Sequence, residues 1–135
     1  MMYADIVLPL AQPAYSFAVP DGEELRCGDA VAVQFGPRFI YTGIVWRLHA
    51  VRPDFKRVKS IGRRLYDVPL LDERQMRFWE WVADYYMCTL GEVMRMALPS
   101  MAKPRGASEA EFSAEVFRPR MEQYVALSGR WRDAG

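Results

Sequence analysis

Histidine is nearly missing from this chain, and cysteine is scarce. Of 135 residues, only His49 is a histidine, and only Cys27 and Cys88 are cysteines. A single imidazole excludes a His-rich metal site and leaves acid–base catalysis by histidine without support. His49 closes a strand-like run and reads as a surface or edge histidine satisfied by its neighbours. The two cysteines stand far apart, outside any C-x-x-C pair, and read as reduced, partly buried thiols. No apolar run approaches the roughly 18 residues needed to cross a bilayer. The N-terminal MMYADIVLPL has neither a basic n-region nor a small-residue cleavage site, so it does not read as a secretory signal. These absences point to a cytoplasmic protein with no membrane partner. There is no G-x-x-x-x-G-K loop to cradle a nucleoside triphosphate, and no G-x-S-x-G nucleophile elbow. The nearest carboxylate pairs, Glu23/Glu24 and Glu109/Glu111, lie in turn-like and linker-like sequence and read as solvating groups. Nothing in the chain asks to be an active site.

What is present is the composition of a globular domain: 51% hydrophobic and 26% charged residues, with a net charge of +1. That near-neutral sum hides an asymmetry. Arg47, Arg52, Lys56, Arg57, Lys59, Arg63 and Arg64 crowd one stretch that holds a single acid, Asp54. Such clustering fits a phosphate-facing edge, and it fits equally well a solvated loop.

The first half of the chain has the period of strands. YADIVLPL (3–10), YSFAV (15–19), AVAVQF (30–35) and FIYTGIVWRLH (39–49) alternate large and small or apolar and polar residues. Turn signals separate them at Pro20-Asp21-Gly22, Cys27-Gly28-Asp29 and Gly36-Pro37-Arg38. A further strand is expected over 56–65, and Gly43 suggests a bulge or barrel corner. Short strands at this spacing predict a small OB-like curled barrel or sandwich. The period then becomes helical. Asp72 with Gln75 opens one helix, and Met76, Trp79, Val82, Ala83 and Tyr86 form its expected buried stripe. Thr89 with Glu92 opens a shorter helix that Pro99 stops. Trp46, Trp79 and Trp81 read as core or domain-packing residues. The fold class is therefore mainly β with α, ending in an extended C-terminal tail. Residues 106–115 read as a linker, and 116–135 as the start of another domain, because the strand-like QYVAL has no partner to pair with.

Several of these segments resemble a known family. ADIVLPL, YSFAVP, GDAVAVQFG and TGIV, followed by W-x-W-V-A-D-Y-Y-M-C-T-L-G-E-V-x-x-x-A-L-P, are similar to the 3′-end DNA-binding domain at the N-terminus of primosomal protein N prime, the PriA replication-restart helicases. The resemblance covers about residues 3–105 and assigns that span to the 3′-end DNA-binding domain. It makes 116–135 the truncated beginning of a winged-helix domain. It implies a module that holds the 3′ end of the nascent leading strand at stalled forks. The site residues it implies are Tyr15, Ser16, Phe17, Gly36 and Lys59, with Arg38, Lys56 and Arg57 as further phosphate contacts. Tyr15 and Phe17 share one strand face, so at least one of them belongs to the core, and Gly36 serves equally as a turn glycine. The family carries an aspartate where this chain has Ser16. A hydroxyl accepts more weakly than a carboxylate, so end discrimination is expected to be weaker or to lean on backbone groups.

The resemblance also implies a parent ATP-dependent 3′-to-5′ helicase whose motor motifs and zinc-binding cysteines lie outside this segment. This fragment is expected to need no cofactor. Through the parent, the implied partners are branched or fork DNA with a free 3′ end, the other helicase domains, primosome proteins and single-strand-binding protein. From the residues alone, two other readings stand: an OB-like single-stranded nucleic-acid module without end preference, and a protein-docking module.

Overall fold

A computed structural model describes residues 2–37, 39–54, 57–99, 105, 106 and 112. The strands are β1 (Tyr3–Val7), β2 (Tyr15–Ala18), β3 (Ala30–Phe35), β4 (Phe39–His49), β5 (Arg63–Arg64) and β6 (Arg105–Gly106). They form one antiparallel sheet in the order β2-β1-β4-β3-β5, with β6 added against β4. The ladder does not close into a barrel. The stretch 59–64 nevertheless bonds to both sides of the sheet. On β2, Ala18 N–H donates to Lys59 O at 2.8 Å and Ile61 N–H to Ala18 O at 3.0 Å; on β3, Gly62 N–H donates to Ala32 O at 2.8 Å. Of the strand expected over 56–65, the described residues realise only Arg63–Arg64. The backbone ahead of it spends its hydrogen bonds on β2 instead.

Alternation along the strands separates two apolar layers. Ala4, Ile6, Leu8, Phe17, Val31, Val33 and Val45 fill the concave side of the sheet with Ile61. Phe17 is fully buried, which stabilises the fold by about 1.5–3 kcal/mol. Val7 and Ile44 point the other way and pack with Leu71, Met76, Trp79, Val93 and Met94 beneath the helices. Gly43 marks no bulge. A Cβ there would lie 2.3 Å from the Ile6 side chain, so the residue makes room for the neighbouring strand's packing. The register shift falls three residues later, where Trp46 is the extra residue of β4 between Val45 (opposite Ile6) and Arg47 (opposite Asp5).

Helix α1 (Glu73–Tyr85) starts at Asp72, whose side chain accepts from Gln75 N–H while Gln75 caps Asp72 N–H in return. Helix α2 (Leu90–Ala97) opens the same way through Thr89 and Glu92. It ends where Leu98, restricted by Pro99, turns extended. Met76 and Trp79 are buried in α1 as expected, but Tyr86 is not. It caps the helix and faces solvent, because the chain reverses there. Trp46 and Trp79 stack within the second layer at 6.1 Å, while Trp81 is exposed. Of the expected linker, Gly106 pairs with Ile40 and Phe112 is buried. Most of 106–115 and all of 116–135 lie outside the described residues.

Two positions carry measurable consequences. Gly91 sits so close to β1's exit that a Cβ would lie 1.9 Å from Leu10 O and 2.4 Å from Leu8 O. Gly91→Ala is expected to cost at least about 1–3 kcal/mol, read as a lower urea midpoint. Met87 follows α1 at φ 52°, in the left-handed region, with Cys88 N–H returning to Ala83 O at 2.9 Å and Met87 N–H to Asp84 O at 3.3 Å. Glycine is the usual residue at that place in such a helix end. Met87→Gly is expected to raise stability by about 1 kcal/mol in the same titration.

Candidate nucleic-acid interface

Strand β2 presents its residues in two directions. Tyr15 and Phe17 turn to the concave side, where Tyr15 packs against Phe17 at 5.5 Å and edge-on against Phe35 at 5.3 Å. Phe17 is sealed in the core and offers no face to a base. Tyr15 is half-buried and keeps part of its surface at the rim. Phe35 leads directly into Gly36, so the turn between β3 and β4 lies beside Tyr15. Gly36 has φ 76°, which a side chain would strain, and nothing lies within 4 Å of the position its Cβ would take. It serves the turn, and it leaves open space over the backbone.

Lys59 is exposed and joined to β2 through its carbonyl. Fixing the backbone beside β2 fixes where this cation starts. Arg57 is also exposed; Arg38 and Lys56 lie outside the described residues. Two cations of the basic stretch turn to partners within the domain. Arg64 turns to Glu24 O at 3.4 Å, and Arg47 to the carboxylate of Asp5. A hollow of about 380 Å³ lined by Ala32, Gln34, Ile40, Ser60, Gly62 and Arg63 opens along the 59–64 stretch. A larger one, about 610 Å³, lies between the helices among Val82, Tyr86, Cys88, Glu92, Arg95 and Met96. Among its described lining residues the acid Glu92 offsets the cation Arg95, which does not favour a phosphate backbone there.

Ser16 turns to the opposite face of β2, away from Tyr15 and Phe17. There it meets Asp5, its direct partner on β1, and donates to Asp5 Oδ1 at 2.6 Å. His49 Nε2 lies 2.9 Å from the same oxygen, and Arg47 Nε lies 3.8 Å from Oδ2. The His49 ring also stacks on Tyr3 at 6.1 Å, so this edge histidine is satisfied locally. The group is not a nucleophile relay: serine and histidine both bind the carboxylate, whereas a relay needs serine to hydrogen-bond histidine. Sequence reasoning did not single out Asp5 or assign Arg47 and His49 to it. The available signal was a lone carboxylate inside the otherwise apolar YADIV.

Burial pushes the Asp5 carboxyl upward. The hydrogen bonds from Ser16 and His49, with the charges of His49 and Arg47, outweigh that push and hold it below its ordinary value. A depressed folded-state value means that the stabilisation is complete above the unfolded carboxyl's range, about pH 4, and is lost as pH falls through the folded value. Wild type is therefore expected to exceed Asp5→Asn in thermal midpoint near neutral pH. The two curves should converge in more acid solution, as melts monitored by circular dichroism would record.

Two comparisons identify the family of the chain. A family model described as the 3′ DNA-binding domain of PriA matches residues 5–99. The replication restart protein PriA of Synechocystis sp. (strain ATCC 27184 / PCC 6803 / Kazusa) is 34% identical over 95 residues, which is 68% of this chain and 11% of that relative's length. The family match runs from within β1 through β5 and both capped helices. The chain belongs to the PriA 3′ DNA-binding domain family, a DNA-binding component of replication restart.

Proposed function

We propose that this domain holds the 3′ end of the nascent leading strand at stalled forks, as the non-catalytic DNA-binding module of a larger helicase. The observation that carries this reading is the arrangement of these groups around β2. Tyr15 and the open turn at Gly36 lie on one side of the strand, the backbone of the exposed Lys59 on its edge, and the hydroxyl of Ser16 on its other face. A chain end can be held by such an edge, with the last phosphate on Lys59 and the last nucleotide over a backbone that carries no side chain. Arg57, and beyond the described residues Arg38 and Lys56, would add phosphate contacts. The parent's ATP-driven 3′-to-5′ unwinding, its zinc sites, its primosome and single-strand-binding protein partners, and a cytoplasmic location follow from the family as parts of the same proposal. Among the described residues, no helix is long and apolar enough to cross a membrane.

A second reading has one observation in its favour. Phe78, Trp81 and Tyr85 lie exposed in a stacked row along α1, with Tyr86 edge-on at its end. Such a row suits protein docking, and acids Glu80 and Asp84 on the same helix disfavour a phosphate backbone there. The two readings differ in salt response, because neutralised phosphates release counterions and apolar docking does not.

Fluorescence anisotropy distinguishes them. The 135-residue chain is expected to bind a linear single strand more tightly than a circular one of like composition, with affinity falling steeply as salt rises. Lys59→Ala should weaken binding to all sequences and reduce the magnitude of the log–log salt slope by about 1. Equal binding of linear and circular DNA would overturn end-holding.

A further inference from the structure

We propose that the hollow lined by Ala32, Gln34, Ile40, Ser60, Gly62 and Arg63 is a second nucleotide subsite, which takes the base of an unpaired nucleotide next to the strand's end. The register of that nucleotide rests on the end-holding reading above. The hollow's volume, about 380 Å³, lies at the small end of the range for small-molecule sites, about 300–1,000 Å³. Alternation puts Ala32 and Gln34 on the face of β3 opposite to Val31 and Val33, which fill the concave core. Ile40 stands directly across from Gln34 on β4, and Arg63 directly across from Ala32 on β5. The hollow exists because the residues beneath it are small. Ala32 brings only a methyl group. Gly62 brings no side chain at all: its N–H donates to Ala32 O at 2.8 Å, and a Cβ on it would lie 2.9 Å from that oxygen.

The lining divides into an apolar bed and a polar rim, which is what a base requires. Ile40, Ala32 and Gly62 offer a bed to its flat face, while Gln34, Ser60 and Arg63 stand exposed around it. Gln34 interrupts the apolar run AVAVQF, and among the described residues its carboxamide has no hydrogen-bond partner. A carboxamide both donates and accepts, so it matches a base edge, which mixes the two roles; a phosphate would use the donor alone. Turning the amide over exchanges donor and acceptor, so the subsite tolerates any base. Arg63 adds positive charge at the rim for the phosphate that follows. The rim is also continuous in sequence with the groups that hold the end. Ser60 follows Lys59, and Gln34 stands two residues before Gly36, roughly 7 Å along an extended strand. A strand with its last phosphate on Lys59 and its last nucleotide over Gly36 brings the preceding base to the hollow.

The test uses anisotropy of the full 135-residue chain with single strands that carry one abasic residue, moved stepwise inward from the 3′ end. Wild type is expected to lose about tenfold in affinity when the abasic residue stands next to the terminal nucleotide, near the upper factor for one neutral hydrogen bond. Farther in, the loss should vanish. Gln34→Ala should weaken binding of the intact strand by a similar factor and bind the abasic strand equally well. Ser60→Phe, which fills the hollow from its exposed rim, should do the same. Near-ultraviolet circular dichroism establishes that both variants are folded, and Gln34→Ala decides if Ser60→Phe is not. Nuclear magnetic resonance gives a second readout, independent of strand register. The Gln34 side-chain amide, assigned by its loss in Gln34→Ala, should shift on addition of trithymidylate. An unmoved amide, or an abasic penalty that persists undiminished in Gln34→Ala, overturns the subsite. Absence of any internal abasic penalty from wild type that still prefers linear to circular DNA overturns it while leaving end-holding intact. Equal binding of linear and circular DNA removes end-holding instead, and the Gln34 amide then decides the subsite by itself.

Discussion

The site depends on one extra residue in one strand. β4 runs for eleven residues through the middle of the sheet, bonded to β1 on one side and β3 on the other. Trp46 bulges out of its pairing with β1. Without that bulge, continuation of the Ile6–Val45 register would bring Arg47 opposite Ala4, with its side chain directed into the concave core. With it, Leu48 pairs with Ala4 and packs in that core, while Arg47 faces Asp5 and His49 faces Tyr3. A slip of one residue moves every following side chain to the opposite face of a sheet. The bulge thus converts what would be a buried guanidinium into the flank of a polar cluster, and it releases Trp46 to stack on Trp79 beneath the helices.

The helices in turn set how far that cluster is exposed. The layer formed by Val7, Ile44, Trp79 and Met94 covers the outer face of the sheet at one end of β1, and the polar group occupies the other. Gly91 lets α2 approach the chain leaving β1 closely enough for this cover to seat. A carboxylate in the middle of an apolar strand is costly unless hydrogen-bonded and opposed by positive charge. Ser16, His49 and Arg47, from two flanking strands, supply both. The cluster accounts for an acid in β1 that local strand propensity alone disfavours.

The basic stretch shows how backbone and side chain divide the work. Its charges are conspicuous in sequence, yet three of them meet different surroundings: Arg47 goes to Asp5, Arg64 to a carbonyl, and Lys59 stays exposed. Lys59 is anchored through the backbone, by the hydrogen bonds of Ala18 with Lys59 O and Ile61 N. Those bonds consume the strand-forming capacity of the segment ahead of β5. The same competition explains why a run that reads as a strand over 56–65 places only two of its described residues in the ladder.

Much of this domain was legible in its residues. Alternation placed β3 and β4 to the residue, the S/T/D-x-x-E/Q pattern placed both helix starts, and the resemblance drew attention to β2, Gly36 and Lys59. These are local properties: a cap, a turn or a period of two is complete within a few residues. Tertiary structure alone decided which of Tyr15 and Phe17 is core, that Trp81 and Tyr86 face solvent, and that Asp5, Ser16, Arg47 and His49 share one surface. Each of these depends on register between strands or on where a helix ends against a partner. A bulge that reverses the facing of a strand leaves no trace in its own sequence, because it is fixed by which alternative buries Leu48 and spares Arg47.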